Sequence, residues 1–400
     1  MRIYPASSEE TVRARGFLKD WAGEGLLTQE QYQRLEKETV SELRTTNIFL
    51  RLVLFFFTVV GVAAVVGLFF VSFMSGVSDG TIGTFLLILA VLSYYAAEAA
   101  VSMFRLYRYG IEEALAACSV AFLCVGLLMA AFKGPSSSHG IEFMVPAVGA
   151  VFSLWIWRRF GLWYAFPAAM IFAIFVPGSW TSSLWAQHAI LALLYAIGLV
   201  CVIAVRSRLV IHFVEDDCSA AEAFLWLGIY LAINLQLSPL AMRTQWLIGG
   251  MGPVSEFPSW FYRTTWVLIW CLPPIVLWRG IRRKDRFVMA VGGIVALLTF
   301  ITNKPYLGWA RHTWDPMILG IVLTGVALWI RRWLSQGPGG VRHGFTAARL
   351  SGKDKAWMSV GATVLGVVAP QAVTPSAQAK SDDFHFGGGA SGGGGAGGEF

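Results

Sequence analysis

The stretch 48-IFLRLVLFFFTVVGVAAVVGLFFVSFM-74 decides the fold class. A helix needs about 20 apolar residues to cross the ~30 Å hydrocarbon core of a bilayer. This run exceeds that length and carries one charge, Arg51, near its start. A helix that is apolar all round belongs in a large core or in lipid, and lipid accepts it because its backbone groups are satisfied within the segment. Working outward, similar runs recur at 81–103, 112–132, 141–157, 160–177, 184–205, 222–240, 258–278, 286–302 and 314–334. The sequence therefore predicts an all-α, polytopic integral membrane bundle of about ten transmembrane helices over 48–334. The fourth, fifth and ninth runs are short, and the fourth and fifth meet at the basic turn Trp157-Arg158-Arg159-Phe160.

Composition agrees with that reading. The 400 residues are 56% hydrophobic and 14% charged, against about 25% charged in soluble domains. The 17 Trp and 28 Phe suit rings that anchor helix ends at membrane interfaces. The net charge of +7 raises nucleic acid as a partner, but the positive residues lie in short connections between apolar runs, where they set orientation. With the first segment on the cytosolic side, the inner connections hold Arg105 and Arg108, then Arg158 and Arg159, then Arg206 and Arg208, then Arg279 through Arg286, then Arg331 and Arg332. The outer connections hold only Lys133, Arg243, Lys304 and Arg311. That alternation predicts ten spans with both flanks cytosolic, a lipid bilayer as the partner, and no nucleic acid.

The flanks are polar. Residues 1–47 read as a cytosolic helical hairpin: Ser7 or Ser8 caps a helix to about Gly23, with Val12, Phe17, Leu18 and Trp21 on its apolar side. Thr28 and Gln31 have capping-box spacing, opening a second helix with Tyr32, Leu35 and Leu43 that can run into the first span. These residues hold no apolar signal-peptide core, so the first span is expected to direct insertion. Residues 335–381 read as a basic, Gly-rich linker, cytosolic over 335–355, with a short apolar segment at 356–373. Residues 382–400 read as a disordered Gly-rich tail. The hairpin and the tail are the expected contacts for any protein partner.

Polar residues within or beside the spans are the candidate functional groups. Glu98 lies near the inner end of the second span, and Arg105, two turns on, is its expected partner. Glu112, Glu113, Glu142 and Glu222 sit where carboxylates favour the positive ends of helix dipoles. Asn234 and Gln236 fall inside the seventh span, where interhelical hydrogen bonds are their expected role. Pro273 and Pro274 remove two backbone donors and are expected to kink or break the eighth span. The connection 303-NKPYLGWARHTWDP-316 offers Lys304, Arg311, His312 and Asp315 as candidate ligand contacts on the outer side. Cys118, Cys124, Cys201, Cys218 and Cys271 form no C-x-x-C pair, and His139, His188 and His312 lack metal-ligand spacing. No G-x-S-x-G, H-E-x-x-H or Walker-type motif occurs, so no catalytic, cofactor or metal residue is assigned.

The segment 17-FLKDWAGEGLLTQEQYQRLEKE-38, through Trp21, Gly25, Leu26 and Leu27, resembles the start of bacterial membrane proteins grouped as domain of unknown function 2157. The resemblance implies a bacterial inner-membrane protein with a cytosolic hairpin and many spans, and it transfers no functional residue. The reading favours a non-enzymatic membrane scaffold or regulator. A small-solute transporter or channel, and a membrane enzyme acting on lipid or glycan, are the alternatives. Convergence of Glu98, Asn234, Gln236 and the Pro-Pro break on one watered cavity would favour transport.

Overall fold

The computed structural model describes residues 2–23, 25–39, 43–73, 76–131, 138–208, 212–237, 257–307, 312, 314–337, 341–343 and 345–346. The chain forms two compact units, 1–329 and 330–400. In the first, α1 (Ala6–Gly23) and α2 (Gln29–Glu38) form the hairpin. α3 (Ile48–Phe73), α4 (Asp79–Phe104), α5 (Ile111–Ala131), α6 (Ser138–Phe160), α7 (Ala165–Phe175), α8 (Pro177–Trp180), α9 (Leu184–Arg208), α10 (His212–Ile233), α11 (Ser259–Arg283), α12 (Arg286–Tyr306) and α13 (Asp315–Ser335) follow. Among the described residues, seven of these helices are long and apolar enough to cross a membrane: α3, α4, α5, α9, α11, α12 and α13. The chain is thus a multi-pass membrane protein by helix length and composition.

From α3 on, the helices follow the apolar runs, with α7 and α8 sharing the fifth, and with instructive shifts. α10 starts ten residues before the predicted 222, so Glu222 lies within the helix and not at its opening. α11 continues through Pro273 and Pro274 without interruption, which corrects the expected break. Thr28 and Gln31 form the predicted capping box. Ser7 and Ser8 lie inside α1 and not at its cap. α2 stops at Thr39 and does not run into α3: the described residues 43–47 that precede the span are not helical.

Close helix approach depends on small residues. Gly83 of α4 lies so near the Ala130 backbone of α5 that a Cβ there would collide. Gly110, at φ +106°, faces the Arg51 carbonyl, a place and a conformation that exclude a side chain. Among the described residues four apolar clusters make the core, the smallest of them Ala223, Val276 and Val288. One gathers Tyr195, Leu199 and Leu225 between α9 and α10. A second sets Tyr4 against Ala97, Tyr107, Ile156 and Phe160, so the hairpin docks on the bundle. A third joins Tyr230, Ile269 and Val295 across α10, α11 and α12.

In the second unit, β1 (Val341–Arg342) and β2 (Phe345–Thr346) pair antiparallel, where the sequence suggests only a linker. The Arg342 guanidinium lies 4.4 Å from the centroid of Trp333. The predicted apolar segment 356–373 and tail 382–400 lie outside the described residues.

Candidate functional site

Within the first unit, Arg159, Arg206 and Arg279 lie at or near the ends of α6, α9 and α11, which the sequence expects on one side. There the arginines meet acids from neighbouring helices and turns, before or after them in the chain. Glu98 on α4 accepts a 2.7 Å hydrogen bond from Arg159 Nε at the end of α6 and a 2.8 Å bond from Tyr94. Arg159, not Arg105, is therefore its ion-pair partner. Arg105 lies past the last turn of α4 in a left-handed conformation (φ 55°), which removes the two-turn relation that would return it over Glu98. Its carbonyl instead accepts from the Arg44 amide at 2.9 Å, joining the connection before α3 to the α4–α5 turn.

A second group ties α1 to the bundle. Arg2 bonds Glu9 at 2.8 Å and reaches Asp217 of α10. Arg13 and Arg108 each lie 4.0 Å from Asp217, and the Tyr107 hydroxyl donates to Glu9 at 3.1 Å. Glu9 is 1% exposed. Burial lowers the affinity of Arg2 for its proton, but Asp217 and Glu9 outweigh it and leave its pKa above the ordinary arginine value. Burial, only partly offset by Arg108, pushes the Tyr107 phenol up. Beside this group Arg51 forks onto Glu113, with Nε to Oε2 at 2.9 Å. Glu112 accepts from the Tyr109 amide at 2.6 Å, as a carboxylate at a helix start should.

The third group is the most enclosed. Arg206 at the end of α9 bonds Glu222 at 2.9 Å and Asp285 at 2.6 Å. Glu222 also holds Arg279 of α11. Asp285, in the turn before α12, accepts from Ser219 at 2.6 Å and from the Phe287 and Val288 amides at 3.0 and 3.2 Å. Burial pushes the Asp285 carboxyl up, but Ser219, the Val288 amide and Arg206 outweigh it and hold its pKa below the usual range. One cluster thus joins α9, α10, α11 and α12.

Among the described residues the opposite end is uncharged where it is buried. Asn234 lies just past α10, not inside it, and is fully buried. Its amide donates to Tyr230 at 2.9 Å and Thr302 at 3.0 Å, and its Oδ1 accepts from the Gln236 amide at 3.1 Å. The Leu235 amide donates to Tyr306 at 2.6 Å. Trp266 and Trp270 share Asn303 at 3.2 Å each. His188 lies at 2.7 Å from the Ala232 carbonyl, to which Nδ1–H donates.

At the start of α13, Lys304 bonds Asp315 at 2.5 Å and lies 5.6 Å from the Trp314 ring. Asp315 also accepts the His312 amide at 3.0 Å. Asn303 through Tyr306 belong to α12 and not to a loop, and Tyr306 is buried. Arg311 and the side chain of Glu142 lie outside the described residues. Among the described residues no group of three or more His, Cys, Asp or Glu could hold a metal ion.

The structure does not bring the predicted intramembrane candidates together: Glu98 belongs to the charged end, Asn234 and Gln236 to the other. Sequence reasoning missed Arg2, Glu9, Asp217, Ser219 and Asp285. The one available signal was spacing, since Arg206 and Glu222 flank one helix turn-round, whereas the other pairs join residues far apart in the chain. In comparisons with known proteins, no family model, no curated protein and no solved structure matches the chain.

Proposed function

We propose that the chain is a non-enzymatic multi-pass scaffold of the bacterial inner membrane. It crosses ten times, with the charged end and both flanks in the cytosol. The observation that carries this reading is the separation of its polar groups. A solute route needs intramembrane polar residues to converge on one watered cavity. Here Glu98 is bound at one end, Asn234 at the other, and the Pro-Pro pair lies within an unbroken helix. The cavity between α6, α7, α9 and α10 has largely apolar walls and touches none of them. The ten-span count is supported by α6 and α10, at 23 and 22 residues, and by the apolar pair α7–α8. Its orientation is supported by the arginines gathered at one end.

Two measurements test the reading. Reporter fusions after Arg44, Arg208, Arg286 and Gly340 should all report cytosol, and a periplasmic signal at any one breaks the span count. Cysteines placed at Ile269 and Val276, both fully buried on α11, should resist a charged thiol reagent from either side of the membrane. Labelling at both would reveal a water route and favour transport.

A further inference from the structure

A cavity of about 670 Å³ lies between α6, α7, α9 and α10. That volume falls in the ~300–1,000 Å³ range of small-molecule sites. Leu154, Met170, Cys201 and Leu225 contribute to its apolar walls. It opens sideways, because Val151 on its wall is 68% exposed. Its two ends differ in chemistry. Phe143 and Trp180 stand at one, and Arg2, Arg158 and Asp217 stand at the other, at the charged end of the bundle.

Arg2 and Asp217 are bound to each other within the group that also holds Glu9, Arg13 and Arg108. Arg158 is different. It is exposed, and among the described residues it makes no ion pair or side-chain hydrogen bond. Its neighbour Arg159 is committed to Glu98. An uncompensated guanidinium at the interface end of an apolar groove calls for an anion that carries a hydrocarbon chain, and guanidinium forks match phosphate geometry. From Phe143 to Arg158, helix α6 rises about 22 Å. That exceeds half of the ~30 Å hydrocarbon core, so an acyl chain anchored at Arg158 can lie extended past the midplane. A laterally open groove is filled from the bilayer itself.

We propose that this groove is the binding site of one anionic phospholipid, with its phosphate on Arg158 and one acyl chain along α6 and α9. The site stands whether the chain is a scaffold or carries a solute. The test uses the full chain, purified in mild detergent and stripped of lipid. Phosphatidylglycerol and phosphatidylcholine with matched acyl chains are titrated in, with retained lipid counted by native mass spectrometry and the unfolding temperature followed. One phosphatidylglycerol per chain should be retained, about tenfold more tightly than phosphatidylcholine, the size expected of a charge-assisted contact. Arg158→Gln should remove that preference while leaving the unfolding temperature of the lipid-free chain unchanged. Cys201→Trp, which fills the groove, should abolish retention of both lipids. Equal retention of the two lipids by the unsubstituted chain would overturn the proposal, and so would a preference that survives in Arg158→Gln. Because Arg158→Gln alters an exposed side chain, it decides the matter even if Cys201→Trp fails to fold.

Discussion

One end of the bundle is joined by guanidinium–carboxylate pairs, the other by hydroxyls, an amide and main-chain groups. At the first, Glu222 is fully buried between Arg206 and Arg279. At the second, Asn234 is as deeply buried between Tyr230 and Thr302. The difference follows from orientation. On the proposed topology, arginines that hold an end on the cytosolic side also fall where helices must pack, and a packed arginine has to be matched by an acid because an unpaired buried charge is costly. The other end carries few cations and can be closed with neutral groups, whose misplacement costs less. The same backbone architecture therefore has a charge-locked end and a hydrogen-bonded end.

The largest expected effect comes from breaking the lock. Glu222→Ala should strand Arg279, leave Arg206 on Asp285 alone and lower stability by about 3–5 kcal/mol, read as lost abundance and a lower denaturation midpoint in detergent. A change below about 1 kcal/mol would mean that the pairs are too solvated to matter.

Acid should act on the same end. The folded pKa of Asp285 is depressed, so its contribution is complete above the unfolded value of about 3.9 and is lost as pH falls through the lower folded value. Melting temperatures should be insensitive to Asp285 between pH 5 and 8 and fall below about pH 4. The fall should be smaller in Asp285→Asn, and an unchanged acid limb in that variant would remove Asp285 from the lock.

At the neutral end, Asn234→Ala should cost less, about 0.5–2 kcal/mol, the range for hydrogen bonds between membrane helices. If a denaturation series showed it costing as much as Glu222→Ala, the contrast between the ends would be wrong.

The smallest effect is expected at Glu98. Its pair with Arg159 is partly solvated, so Glu98→Gln should cost about 0–1 kcal/mol. A double-mutant cycle should find coupling between Glu98 and Arg159 and none between Glu98 and Arg105.

The helices were legible because apolar length alone specifies them, and the run at 48–74 needs no neighbour to be a helix. Local caps were equally plain, as Thr28 and Gln31 show, since both partners lie within one turn. Pairing between helices was not legible. Helix spacing brings Arg105 to Glu98, but which arginine arrives depends on whether α4 lies beside α6 and on where α4 ends. The predicted seventh span begins only at Glu222 because Asp217 looks like a residue that stays outside a packed helix and Glu222 like one that opens it. They enter it only because Arg2, Arg206 and Arg279 come from elsewhere. Asn234 was recognised as polar and buried, while its partners Tyr230 and Thr302 were hidden among residues that any span can carry.

The contact between Arg2 and Asp217 has a consequence for biogenesis. The two residues are 215 positions apart. A ribosome adding about 5–20 residues per second needs roughly 10–40 s to make that interval. On the proposed topology, Arg2 and Glu9 wait for that time on the synthesis side of the membrane while α3 to α9 are inserted. The latch can close only when α10 emerges, so a nascent chain stalled before Asp217 would keep its first helix open to proteases, and a finished one would not.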